Sequence, residues 1–139
     1  MIQRDPASIH RIDWRDLEEI VAGGLRQAGF DEVILTPRSG DKGRDVIATK
    51  HGIGSIRLLA QVKAYKPDRV VTAEEVLAML GTITSEGNVS KGIITTTSEF
   101  APRLMDNPNI KREIPHRIEL MAGDVLRQWL EKVANKKPP

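Results

Sequence analysis

Between Ser55 and Tyr65 every even position, Ile56, Leu58, Ala60, Val62 and Ala64, is apolar, whereas the odd positions read Ser, Arg, Leu, Gln, Lys and Tyr. Side chains alternate between the two faces of a β-strand, so this run is predicted to be a strand with one face on a core. Gln61 and Lys63 then project together from the other face. Residues two apart on a strand point in parallel, roughly 6 to 7 Å apart, and one ligand is within reach of both. A half-solvated strand of an antiparallel sheet satisfies the same pattern.

Other segments fall into place around this strand. From Asp13 to Gly29 the residues Trp14, Leu17, Val21, Leu25 and Ala28 recur at helical spacing, with Asp13 an N-cap and Gly29 a stop. "EVILT" and "RDVIATK" are short β-rich runs separated by the turn chemistry of "PRSGDKG", and the strand of Gln61 and Lys63 follows a turn at Gly52 and Gly54. These three strands are predicted to form an antiparallel meander. Thr72 and Glu75 have capping-box spacing, ahead of a helix with Val76, Met79, Leu80 and Ile83 on its apolar side. "KGIITTT" and "RIELM" read as further strands. In "GDVLRQWLEKV" the residues Val125, Leu126, Trp129, Leu130 and Val133 are expected on the buried side of a closing helix. The order predicts an α/β fold, a central mixed sheet flanked by helices on both faces with an αβββαβ core.

Two acids stand out. Asp41 and Asp45 flank Gly43, which permits the φ > 0 of a tight turn. Asp41 suits a turn former. Asp45 fits that role less well, because Asp is depleted once a strand has begun. If its strand pairs with the next, Asp45 comes beside Gln61 and Lys63. On the first helix, Glu18 lies within ~40° of Trp14 and ~20° of Leu25, on the flank of the apolar stripe. A buried carboxylate there costs several kcal/mol unless it is compensated; an edge position that snorkels to water fits the same spacing.

A chain of 139 residues, 40% hydrophobic and 29% charged, suits one soluble globular domain over 1–134 with a basic tail at 135–139. The absence of cysteine excludes disulfides and thiolate metal sites. No apolar run is long enough to span a bilayer and no signal-peptide core is visible, so a cytoplasmic protein with no membrane partner is expected. The net charge of +2 nudges only weakly toward polyanions, although basic residues gather at Lys63, Lys66 and Arg69, at Lys111, Arg112, His116 and Arg117, and in the tail. His10, His51 and His116 lack ligand spacing. With 4% aromatic residues, a stacking platform for single strands is not expected. Thr95 to Thr97 fall toward the same edge as Gln61 and Lys63, but β-branched residues ending a strand need no function.

Taken together, "LEEIVAGGLRQAGF", "SGDKGRDVIA", "AQVKAY" and "KGIITTTSEF" resemble the Mrr-type restriction endonuclease catalytic domain, a branch of the PD-(D/E)xK nucleases. The resemblance runs from the first helix to the strand at Ile93 and Ile94. It implies a metal-dependent DNA endonuclease in which Asp45 is the metal-binding acid, Gln61 the first variable position of (D/E)xK, Lys63 its lysine and Glu18 the helix acid. It implies Mg²⁺, which Mn²⁺ can replace, held by Asp45, the Gln61 side-chain oxygen, the Val62 carbonyl and Glu18. Lys42, Arg44, Lys66 and Arg69 are the implied DNA contacts. Gln61 departs from the carboxylate of most of the superfamily; the Mrr-type branch commonly carries glutamine there, which favours a restriction-type enzyme over a Holliday-junction-resolvase-like one. A non-catalytic nucleic-acid-binding module on the same fold is the contrasting expectation. No recognition element is visible, so specificity would come from DNA shape, a homodimer, a separate specificity subunit or a domain missing from this chain.

Overall fold

A computed structural model describes residues 14–36 and 45–134. Asp13, the turn with Asp41, Lys42, Gly43 and Arg44, His10 and the tail from 135 lie outside them, as does the side chain of Trp14. Helix α1 (Trp14–Gln27) precedes the strands β1 (Glu32–Leu35), β2 (Asp45–Lys50) and β3 (Ile56–Lys63). Helix α2 (Ala73–Glu86), β4 (Lys91–Thr96), a short helix α3 (Pro108–Lys111), β5 (Ile118–Ala122) and α4 (Gly123–Ala134) follow. Among the described residues the sheet runs β1-β2-β3-β4-β5. The first three strands are the antiparallel meander, whereas β4 joins β3, and β5 joins β4, in parallel. This is the mixed sheet expected from the alternation of helical and strand patterns.

Local chemistry sets the end of α1 and the start of α2. At the end of α1, Gly29 takes φ 108°, its amide donates to Arg26 O at 3.1 Å, and the Phe30 amide donates to Leu25 O at 3.2 Å. This is a Schellman turn, which favours a residue without a Cβ. At the start of α2, Thr72 Oγ1 accepts from the Glu75 amide at 3.3 Å and Glu75 Oε2 from the Thr72 amide at 2.8 Å, the reciprocal capping box.

Both faces of the sheet are covered. Leu17, Val21, Ala22 and Leu25 of α1 and Leu126 and Leu130 of α4 bury Val46, Ala48, Leu58 and Ala60. On the other side, Val76, Met79 and Ile83 of α2 pack on Leu59, Ile94 and Ile118. The odd face of β3 is therefore not simply solvated: Leu59 is core, set between the polar Arg57 and Gln61. Val125 is corrected by the structure. It is 53% exposed, because at 100° per residue it stands at the edge of the arc centred on Leu126 and Val133.

The α1 and α4 helices touch through Gly24, where an added Cβ would stand 2.8 Å from Trp129 Cη2 and 3.0 Å from Cζ3. Alanine in a helix interior is favoured over glycine by about 1 kcal/mol, but forcing a methyl against a rigid indole costs about 1–3 kcal/mol. Gly24→Ala should therefore destabilise the fold by about 1 kcal/mol. At Gly23 nothing lies within 4 Å, so Gly23→Ala should raise stability by up to about 1 kcal/mol. Urea unfolding of the two variants checks the opposite signs.

Candidate active site

The site forms at the end of the meander. Thr36, just past β1, donates its amide to Asp45 O at 2.9 Å, and its hydroxyl accepts from the Asp45 amide at 2.8 Å. These two bonds fix the backbone of Asp45 as β2 begins. The β2–β3 register pairs Asp45 with Gln61, and residues directly opposite on adjacent strands share a face. Lys63, two residues on, shares it as well. The structure therefore brings Asp45, Gln61 and Lys63 to one end of one sheet face, beside the N-terminus of α2.

Strand β4 holds β3 in place there. The hydroxyl of Thr95 donates to Gln61 O at 3.2 Å, the Thr97 amide to Lys63 O at 3.4 Å, and the Thr97 hydroxyl to Tyr65 O at 2.8 Å. Thr95, Thr96, Thr97 and Ser98 are all buried. These threonines clamp the backbone that presents Gln61 and Lys63, a task that β-propensity alone does not reveal.

Glu75 was legible in the sequence only as a helix cap, yet it is the centre of the polar network. Its Oε1 accepts from the Tyr65 hydroxyl at 2.5 Å and lies 3.9 Å from both Lys63 Nζ and an Arg69 guanidinium nitrogen. Arg69 stacks on the Tyr65 ring 3.8 Å from its centre, and Lys63 Nζ stands 5.8 Å from that centre. Burial alone would raise the pKa of Glu75, but the Tyr65 hydroxyl, the Thr72 amide and the Lys63 and Arg69 charges outweigh it and hold the carboxyl below its usual range. Burial, followed by the bond to Glu75, pushes the Tyr65 phenol up to about 12.

Asp45 is shifted the other way. Burial raises its pKa, the Lys63 ammonium opposes that, and the negative charge of Glu18 adds to it. Glu18 sits on α1, which covers the opposite face of the sheet from α2, and is 1% exposed. The flank position predicted for it is thus a buried one, and its charge is felt at Asp45. Val62 pairs with Thr95 in the parallel ladder and turns its side chain into the α1 core, leaving its main chain at the site. Lys66 and Arg69 lie exposed in the turn after β3, joined by a bond from the Arg69 amide to Lys66 O at 3.0 Å. Lys42 and Arg44 fall outside the described residues. His51 stands at the far end of β2, where its Nε2 meets Glu32 Oε2 at 2.7 Å.

No helix among the described residues is long and apolar enough to cross a membrane. Comparison with curated protein sequences gave no match. Two solved structures share the fold. The DNA modification-dependent restriction endonuclease AspBHI superposes with a TM-score of 0.60 over 93% of this chain at 18% identity, and AF1548, described as a protein of unknown function, with 0.56 over 79% at 15% identity. The chain spans only 39% and 58% of those two proteins. A family model for the Mrr catalytic domain, described as restriction endonuclease, matches residues 9–130. With that match covering most of its length and the fold shared, the chain belongs to the restriction endonuclease catalytic-domain family.

Proposed function

We propose that the chain is the catalytic domain of a metal-dependent DNA endonuclease, with Asp45, Gln61, Lys63 and Glu18 as its working residues. The observation that carries this reading is the cross-strand pairing of Asp45 with Gln61, with Lys63 two residues on along the same face. Family membership supports nuclease chemistry in general; the metal, the residue roles and DNA as substrate belong to the proposal.

The donor set suits a hard divalent cation. Among the described residues no three acid or histidine side chains gather at one point, so protein ligands would combine carboxylate, amide and carbonyl oxygens. Asp45, the Gln61 side-chain oxygen and the Val62 carbonyl supply these, with Glu18 behind them, and Mg²⁺ accepts such a set while retaining several waters. The pKa of Asp45 is raised by burial and by Glu18, which is the electrostatic stress that a cation relieves. When bound, the ion would offset phosphate charge and ease the deprotonation of water. Lys63 would place its ammonium against the charge that builds on the phosphate oxygens in the transition state. Gln61 would orient the ion with an oxygen dipole and no charge. Lys66 and Arg69, together with Lys42 and Arg44, would meet the DNA backbone.

Supercoiled plasmid incubated with the protein and Mg²⁺ or Mn²⁺ should give nicked or linear DNA, and EDTA should suppress both products. DNA affinity should fall steeply with salt if the basic side chains contact phosphates. Salt-sensitive binding without cleavage in either metal would replace this reading with that of a non-catalytic DNA-binding module.

A further inference from the structure

The proposed reaction needs Lys63 to hold one position, and a lysine has a flexible four-carbon stem with strongly hydrated charge. Something must restrain it. Among the described residues Asp45 is one charged neighbour and Glu75 is another, which is unusually well fixed. Its Oε2 is bound to the Thr72 amide at 2.8 Å within the capping box, and its Oε1 to the Tyr65 hydroxyl at 2.5 Å. Tyr65 is itself anchored, because its carbonyl accepts from Thr97 and its ring lies under Arg69. The carboxylate is thus tied at both oxygens to elements that do not depend on Lys63. Its Oε1 stands 3.9 Å from Nζ, with the Lys63 and Glu75 side chains only 21% and 25% exposed.

We infer that Glu75 is a positioning residue for Lys63, deepening the nuclease reading on which it rests. The capping box fixes the carboxylate to the start of α2, Tyr65 aims one oxygen over the end of β3, and that oxygen restrains the ammonium on the face shared with Asp45 and Gln61. Arg69 shares the same oxygen at 3.9 Å, so the turn after β3 and the lysine are linked through one carboxylate. A cap alone would need only the Oε2 bond.

Glu75→Gln separates the two roles, because an amide oxygen can still cap the helix while the charge facing Lys63 is lost. With plasmid DNA and Mg²⁺, kcat should fall about tenfold with KM unchanged, the pattern of an interaction used only in the transition state. The melting temperature should stay within a few degrees of wild type. Side-chain ¹³C relaxation at Lys63 Cε should show increased mobility in Glu75→Gln, and to a lesser degree in Tyr65→Phe, which keeps the charge but frees Oε1. Unchanged kcat or unchanged Lys63 mobility in Glu75→Gln overturns the inference. Should Glu75→Gln fail to fold, Tyr65→Phe decides by the same two readouts, with a kcat loss of about threefold expected. A wild-type protein that cuts no DNA defeats the nuclease reading; the relaxation measurement then still decides whether Glu75 holds Lys63.

Discussion

Asp45→Asn should lose cleavage by on the order of 10³-fold or more, and should melt at a higher temperature than wild type at neutral pH. The first effect removes the principal charged ligand of the proposed ion. The second follows from the raised pKa of Asp45. An acid whose pKa rises on folding holds its proton more tightly in the folded state. It therefore costs nothing below its unfolded value of 3.8, and the cost grows as pH rises through the raised folded value, reaching its full size at neutral pH. Removing that cost should raise the melting temperature at neutral pH, with the advantage vanishing at the acid end of the range. Thermal unfolding across pH reads both the gain and its disappearance. Mg²⁺ should raise the wild-type melting temperature and leave that of Asp45→Asn nearly unmoved, since only a folded state that binds the ion is stabilised by it. Equal Mg²⁺ shifts in the two proteins would remove Asp45 from the ligand set.

Lys63→Met should also lose cleavage, by about 10²- to 10³-fold, but should move stability the other way. Methionine keeps much of the stem and its packing while deleting the ammonium between Asp45 and Glu75. Without that charge Asp45 loses the cation that, among the described residues, opposes the burial raising its pKa, and Glu75 loses one of the cations that hold its pKa down. Glu75 contributes stability that is present above its unfolded value of 4.5 and is lost as pH falls through its lowered folded value. Weakening that contribution while enlarging the cost of Asp45 should lower neutral-pH stability, modestly because both groups are partly solvated. Two inactive variants shifted in opposite directions would place both residues in one electrostatic unit. A Lys63→Met protein that melts above wild type would break that unit apart.

The working face of β3 was readable because its alternation survives from Ile56 to Ala64, and Asp45 because an acid at the start of a strand contradicts β-propensity. Their meeting needed only one further assumption, that adjacent strands pair, and the register of Asp45 with Gln61 satisfies it. Glu18 was legible from helical phase, although phase alone leaned slightly toward a snorkelling edge position over the burial that is found. Glu75 was hidden for the opposite reason: capping already accounted for it, and only the approach of Tyr65 and Lys63 shows its second use. Val125 was misplaced because a helix stripe has edges, and which edge is covered depends on α1 and the sheet rather than on α4 itself. The bonds from Thr95 and Thr97 were unreadable because β-branched residues in a strand look alike whether or not their hydroxyls hold another strand.

Those threonine bonds also set a timetable. Thr95 and Thr97 act on residues 34 and 32 positions earlier in the chain, across the whole of α2. The β1–β2–β3 meander, which sets Asp45 opposite Gln61, is built from neighbouring segments and can close before β4 joins it. The brace on Gln61, Lys63 and Tyr65 arrives only with the crossover, a contact between distant segments of the kind that forms late in folding. Until β4 docks, the main chain of Gln61, Lys63 and Tyr65 lacks that brace.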